Sequence, residues 1–256
     1  MEKYSKSSDG EMIHYEISGT GSTAIIFVHG WLGNTEWWIN QKIYFEDKYT
    51  IVSLDLAGHG KSGRSRQNWT SAQYADDIIA VAGQINTKDI VLVGHSMSGP
   101  YVLEASLSLP KVKSLILVDT LKDPDQLLSY SQADEYLLTP YRKDFKSAVE
   151  NILPQYLFTK TTPVHIREQL QNEFLKYDGD MAAKLIKPLY TTDIREIARF
   201  VKVPVRSINS DATSTNSENI RKYIKDFDFV SIHGSGHYPM IEQPEEFNRA
   251  LDELLS

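Results

Sequence analysis

Apolar residues in this chain fall into short alternating or continuous runs, separated by stretches where they recur every three or four positions. EMIHYEIS at 11–18 alternates apolar and polar residues, as a strand with one solvated face does. AIIFV (24–28), TIVSL (50–54), IVLV (90–93), SLILV (114–118), VPVRSI (203–208) and FDFVSI (227–232) are short and mostly rich in β-branched residues. The most continuous of these runs suit strands of a sheet covered on both faces.

Between the strands the period becomes helical. In NWTSAQYADDIIAVAGQI, Tyr74, Ile78, Val81 and Ile85 share a face, and Thr70 with Gln73 forms a capping box. TSTNSENIRKYIKDF repeats the device with Thr215 and Glu218, and QPEEFNRALDELL carries Pro244 where a first helical turn tolerates it. Strands alternating with helices predict an α/β fold, a mostly parallel doubly wound sheet with right-handed crossovers. Residues 121–200 break the alternation: their period is helical, prolines and tyrosines are frequent, and no strand pattern occurs. The expected organisation is a core of residues 1–120 and 201–256 with a helical lid, 121–200, inserted over the sheet's carboxyl edge, where ligand crevices form.

Composition narrows the function classes. A chain of 256 residues can hold one large α/β domain with an insertion. Its net charge of −7 argues against non-specific nucleic-acid binding, which needs a basic footprint. With no cysteine, thiol catalysis, disulfides and Cys-based zinc sites are excluded. No apolar stretch reaches signal-peptide or membrane-spanning length, so a cytoplasmic location and no membrane partner are expected.

The candidate chemistry begins at VLVGHSMSGP, residues 91–100, where an apolar run ends at Gly94 and Ser96 falls on the bend before a helix. A serine held on a sharp strand-to-helix turn needs small neighbours two residues away, and Gly94 and Ser98 supply them. A serine hydroxyl is a weak nucleophile without a base. His237, in HGSGHYPMIEQPEEF after the last strand, is the candidate. His233 and His237 are spaced like a metal pair, but the intervening Gly-Ser-Gly disfavours a helix and no third ligand is evident, so no metal is expected. The His29-Gly30-Trp31 turn follows a strand, and the backbone amides of Trp31 and Met97 are the candidate oxyanion donors. DLAGHGKS at 55–62 contains GKS, but it lacks the first glycine of a phosphate-binding loop.

VHGWLG, DLAGHGKS, VGHSMSG and GSGHYPMIEQPEEF together resemble the α/β-hydrolase-fold serine hydrolases, across residues about 10–120 and 201–256. Ser98 departs from the glycine more usual at that position. The resemblance implies a Ser-acid-His order, with Ser96 as nucleophile, His237 as base and an acyl-enzyme intermediate. It puts the acid on the loop after VPVRSI, where Asp211 is the carboxylate before the helix, although the family's usual position holds Thr213. Some relatives supply the acid one strand earlier, where Asp119 and Asp123 lie, so Asp211 is the first expectation and those two the alternatives.

The implied substrate is a small-molecule carboxylic ester or related acyl compound, with no cofactor. His29, Trp38, Tyr136 and Tyr238 are expected at the substrate pocket. Thioesters, lactones, amides and C–C bonds are hydrolysed with the same parts, and some proteins of this fold are ligand receptors with little turnover.

Overall fold

All seven expected strands form, and an eighth precedes them. The computed structural model describes residues 1–255. In it β1 (Glu2–Lys6), β2 (Met12–Ser18), β3 (Thr23–Val28), β4 (Thr50–Leu54), β5 (Asp89–His95), β6 (Val112–Val118), β7 (Val205–Ser210) and β8 (Phe227–Ile232) make one sheet in the order β1-β2-β4-β3-β5-β6-β7-β8. The pairs β1–β2 and β2–β4 are antiparallel and every later pair is parallel. β1, EKYSK, has no apolar pattern because it is an edge strand in which only Ser5 is buried. By contrast Ala24–Val28 and Thr50–Leu54 are buried throughout, which requires cover on both faces of the sheet.

The cover comes from two helix pairs. α1 (Ile39–Phe45) packs with the C-terminal α6 (Pro244–Leu255), and α2 (Ser71–Ala82) packs on α3 (Ser98–Ser106). α2 starts where its capping residue predicts, with the Thr70 hydroxyl accepting from the Gln73 amide at 3.2 Å. The helix expected after β7 is a single turn, Ser217–Arg221, and its cap is Asn216 rather than Thr215. Thr215 is held away from that role by Asn209, whose side-chain amide donates to its hydroxyl at 2.8 Å.

Between β6 and β7 the described chain is helical, in short turns from Tyr130 to Leu157, then α4 (Val164–Phe174), α5 (Gly179–Thr191) and a last turn, Ile194–Ala198. These elements are tied to the rest by scattered polar contacts. Trp37 Nε1 donates to Glu173 at 2.6 Å, Trp31 Nε1 to the Ala182 carbonyl at 2.8 Å, and Thr162 Oγ1 to Glu242 at 2.7 Å. Aromatic contact adds to them: Trp31 stacks on Tyr141, ring centroids 5.2 Å apart.

Candidate active site

β5 ends in a turn that forces Ser96 to φ 51°, the left-handed region where a residue with a Cβ is strained by about 1–3 kcal/mol. Its geometry depends on small neighbours. A Cβ on Gly94 would lie 2.7 Å from Val102 and 2.9 Å from the Ser98 carbonyl, and one on Gly30 would lie 2.6 Å from His95 Nδ1. Ser98 is buried, and its hydroxyl lies 2.9 Å from both the Val28 and His95 carbonyls. The serine therefore links the elbow to the end of β3, which a glycine there could not do.

His237 reaches Ser96 from the loop after β8, with Nε2 2.7 Å from Oγ. Its Nδ1 lies 2.7 Å from Asp119 Oδ2. An ionised carboxylate only accepts, so Nδ1 carries the proton and Nε2 is left to receive the one on Ser96. Two backbone contacts fix the ring's own chain: the His237 amide donates to Leu157 at 2.9 Å, and His95 Nε2 donates to the His237 carbonyl at 2.8 Å. Burial, with repulsion from His237 second, pushes His95 down to about 3, so it is a neutral donor at neutral pH.

The structure does not bring Asp211, the first expectation for the acid, to His237. Asp211 is exposed and faces away from His237: its carboxylate accepts from the Gly234 amide at 2.9 Å and from His233 Nδ1 at 3.1 Å. Asp123 holds the next loop, accepting from Asn219 Nδ2 at 2.8 Å and Asn216 Nδ2 at 3.0 Å. Asp119 is the partner of His237 because of where β6 ends. β6 lies beside β5, the Ser96 amide donates to the Val118 carbonyl at 2.9 Å, and Asp119 then turns at φ 46°. Burial alone would raise its carboxyl. The hydrogen bond and charge of His237, then the Lys122 ammonium, reverse this and hold Asp119 below the ordinary carboxylate range.

Lys122 had no signal in the sequence, since an Asp-x-x-Lys spacing in a loop is uninformative. Its Nζ lies 2.6 Å from Asp119 Oδ1, 2.9 Å from the Ser210 carbonyl and 3.0 Å from both Ser210 Oγ and Thr213 Oγ1.

Ser96 opens into a cavity of about 420 Å³ walled by Trp31, Tyr136, Tyr141, Leu153, Ile186, Tyr190 and Tyr238, among others. Burial pushes the Tyr190 phenol up to about 12 and raises those of Tyr141 and Tyr238 as well, so these groups are neutral at neutral pH. Tyr136 and Tyr238 are in this wall. His29 and Trp38 are not: Trp38 is core, stacked on Phe27 at 4.8 Å. His29 joins two strand ends, with Nδ1 donating to the Gly30 carbonyl at 2.7 Å and Nε2 accepting from the Leu56 amide at 3.0 Å. The Trp31 and Met97 amides adjoin Gly30 and Ser96, and among the described residues neither donates to another protein group.

Asp55 of the DLAGHGKS segment is structural. Its carboxylate accepts from the Thr35 and Lys61 amides and from His14 Nδ1, each at 2.8 Å. That network holds the loop after β4 against β2.

The sequence pattern of the Alpha/beta hydrolase family matches residues 25–250. The Karrikin insensitive 2 receptor CA of Petunia hybrida is 23% identical over 250 residues, 92% of each chain. The dihydrolipoyllysine-residue acetyltransferase component of the acetoin cleaving system of Cupriavidus necator is 29% identical over 143 residues, 56% of this chain. That stretch spans only 38% of the acetyltransferase component's own length. Among solved structures, an esterase from Exiguobacterium antarcticum superposes with a TM-score of 0.88 at 21% identity, covering 100% of this chain and 99% of the esterase. The fold is that of the α/β hydrolases.

Proposed function

We propose that this chain, which belongs to the Alpha/beta hydrolase family, is a serine hydrolase of carboxylic esters or closely related acyl compounds. The observation that carries the reading is the continuous relay Ser96 Oγ–His237 Nε2 and His237 Nδ1–Asp119 Oδ2, each step 2.7 Å, at the floor of an apolar cavity. His237 takes the hydroxyl proton as Ser96 attacks the carbonyl carbon. The oxyanion is met by the amides of Trp31 and Met97. Collapse expels the alcohol, which receives the proton from His237. Water activated by the same imidazole then hydrolyses the acyl-enzyme, while Asp119 keeps the tautomer and offsets the imidazolium charge. Residues 121–200 act as the lid that walls the acyl site.

The cavity wall favours a neutral, largely apolar acyl group. The likeness to the petunia receptor supports a second reading, a ligand receptor with little turnover. Steady-state kinetics on p-nitrophenyl esters, with Ser96→Ala beside the wild type, separate the two. Sustained turnover without a partner that is lost in Ser96→Ala supports the hydrolase. A single burst favours the receptor, and undiminished turnover in Ser96→Ala would remove Ser96 from the mechanism.

A further inference from the structure

We infer that Lys122 is a positioning residue: its ammonium fixes the carboxylate of Asp119 and sets how strongly that carboxylate pulls on His237. The inference rests on the reading of Asp119 as the acid of the relay.

Asp119 and Lys122 form a partly closed pair, with side chains 6% and 13% exposed. The two carboxylate oxygens have divided roles. Oδ2 faces His237, while Oδ1 lies 2.6 Å from Lys122 Nζ and accepts from the Ser210 amide at 2.7 Å. With Oδ1 held by two donors, the carboxylate cannot rotate and Oδ2 stays in line with Nδ1. Lys122 is itself anchored on the loop after β7, by the Ser210 and Thr213 oxygens. Its own carbonyl accepts from the Asn216 amide at 2.7 Å, which clamps the two loops together. The clamp thus runs through Thr213, the position where the family resemblance expects the acid itself.

The electrostatic consequence has a definite sign. A cation on the far oxygen of Asp119 withdraws charge from the near one, so the carboxylate stabilises an imidazolium less than an unpaired aspartate would. The groups around His237 are few. Asp119 faces it from the loop after β6, with Lys122 behind on the far oxygen, and His95 from β5 is neutral at neutral pH. Glu242 is turned to the backbone, accepting from the Gly236 and Tyr238 amides and from Thr162. Removing Lys122 therefore leaves the neighbouring Asp119 charge uncompensated.

A cavity of about 270 Å³ lined by Asp119, Lys122, Ser210, Thr213 and Phe158 adjoins the pair, so a small amine can reach a vacated lysine position. The test measures kcat and KM against pH for the wild type, Lys122→Ala and Lys122→Met, with and without n-propylammonium or neutral n-propanol. We expect kcat to fall about tenfold or more with KM nearly unchanged. The acid limb of the kcat/KM profile should move to higher pH, and propylammonium, not propanol, should restore both. An unchanged profile, or equal rescue by propanol, would mean that Lys122 only fills space. A second readout needs no turnover: the proton between His237 and Asp119, followed by NMR at fixed pH, should move downfield in Lys122→Met. An unmoved resonance would overturn the inference. Absence of wild-type turnover would instead count against the hydrolase reading, and the resonance would still decide the role of Lys122.

Discussion

The carboxylate of Asp119 stands 2.7 Å from Nδ1 of His237, bridging 118 positions of chain from the end of one strand to the loop beyond another. Asp211, on the loop where the family resemblance looks first, is engaged with His233 and the Gly234 amide instead. Ser96 and Asp119 therefore stand at the ends of adjacent strands, His237 reaches them from beyond β8, and the loop after β7 braces Asp119 through Lys122.

Asp211→Asn should leave kcat/KM within about twofold. Its pair with His233 is exposed, where solvent screens the interaction, and it does not touch His237. Parallel kinetics and thermal melts of the variant and wild type check this; a loss of activity beyond tenfold would return Asp211 to the relay.

Ser98→Gly, which restores the residue more usual in the family, should destabilise the protein by about 1–2 kcal/mol. It removes a buried hydroxyl that bonds to Val28 or His95 carbonyls and loosens the first turn of α3. Urea unfolding measures the difference. Equal or greater stability would show that the hydroxyl adds nothing.

Stability should fall as pH drops below about 6.5. Burial, with His29 repelling one and His237 the other, pushes His59 and His95 down to about 3. The unfolded chain protonates these groups near pH 6.5, the folded chain not until about pH 3. Across that window the unfolded state binds more protons, so each histidine removes up to about 1.4 kcal/mol per pH unit on acidification. Asp119, held below the ordinary carboxylate range, adds its own loss only at lower pH. Urea midpoints at pH 7.5, 6 and 5 should descend, and a level series would contradict the buried neutral histidines.

Acyl length should matter until the cavity fills. Each methylene buried against Leu153, Ile186 and the tyrosines is worth about 0.8 kcal/mol, or roughly fourfold in kcat/KM. Acetate, butyrate and hexanoate esters of p-nitrophenol test the gradient. A flat series would mean that the acyl chain does not enter this cavity.

Much of this arrangement was legible because it is written in local pattern. The strand-glycine-serine-helix bend, the His-Gly turn and the loop histidine occupy fixed places along the chain, and the structure brings Ser96 and His237 together. The acid was not legible, because Asp119, Asp123 and Asp211 are equivalent as loop carboxylates. Their difference lies in a left-handed backbone at Asp119 and in the β5–β6 pairing. Lys122 was hidden for the same reason, its partners coming from a strand paired at long range. His29 and Trp38 do not reach the pocket: one fastens backbone and the other fills core, a difference that only long-range packing decides. β1 carries no apolar signature because an edge strand need not bury a face.

The most direct test is the steady-state kcat of Asp119→Asn on the ester that the wild type turns over best. A fall of about 10³–10⁴-fold with KM nearly unchanged is predicted, since an asparagine cannot hold the productive tautomer or offset the imidazolium charge. Turnover within a few fold of wild type would contradict the account and remove Asp119 from the relay.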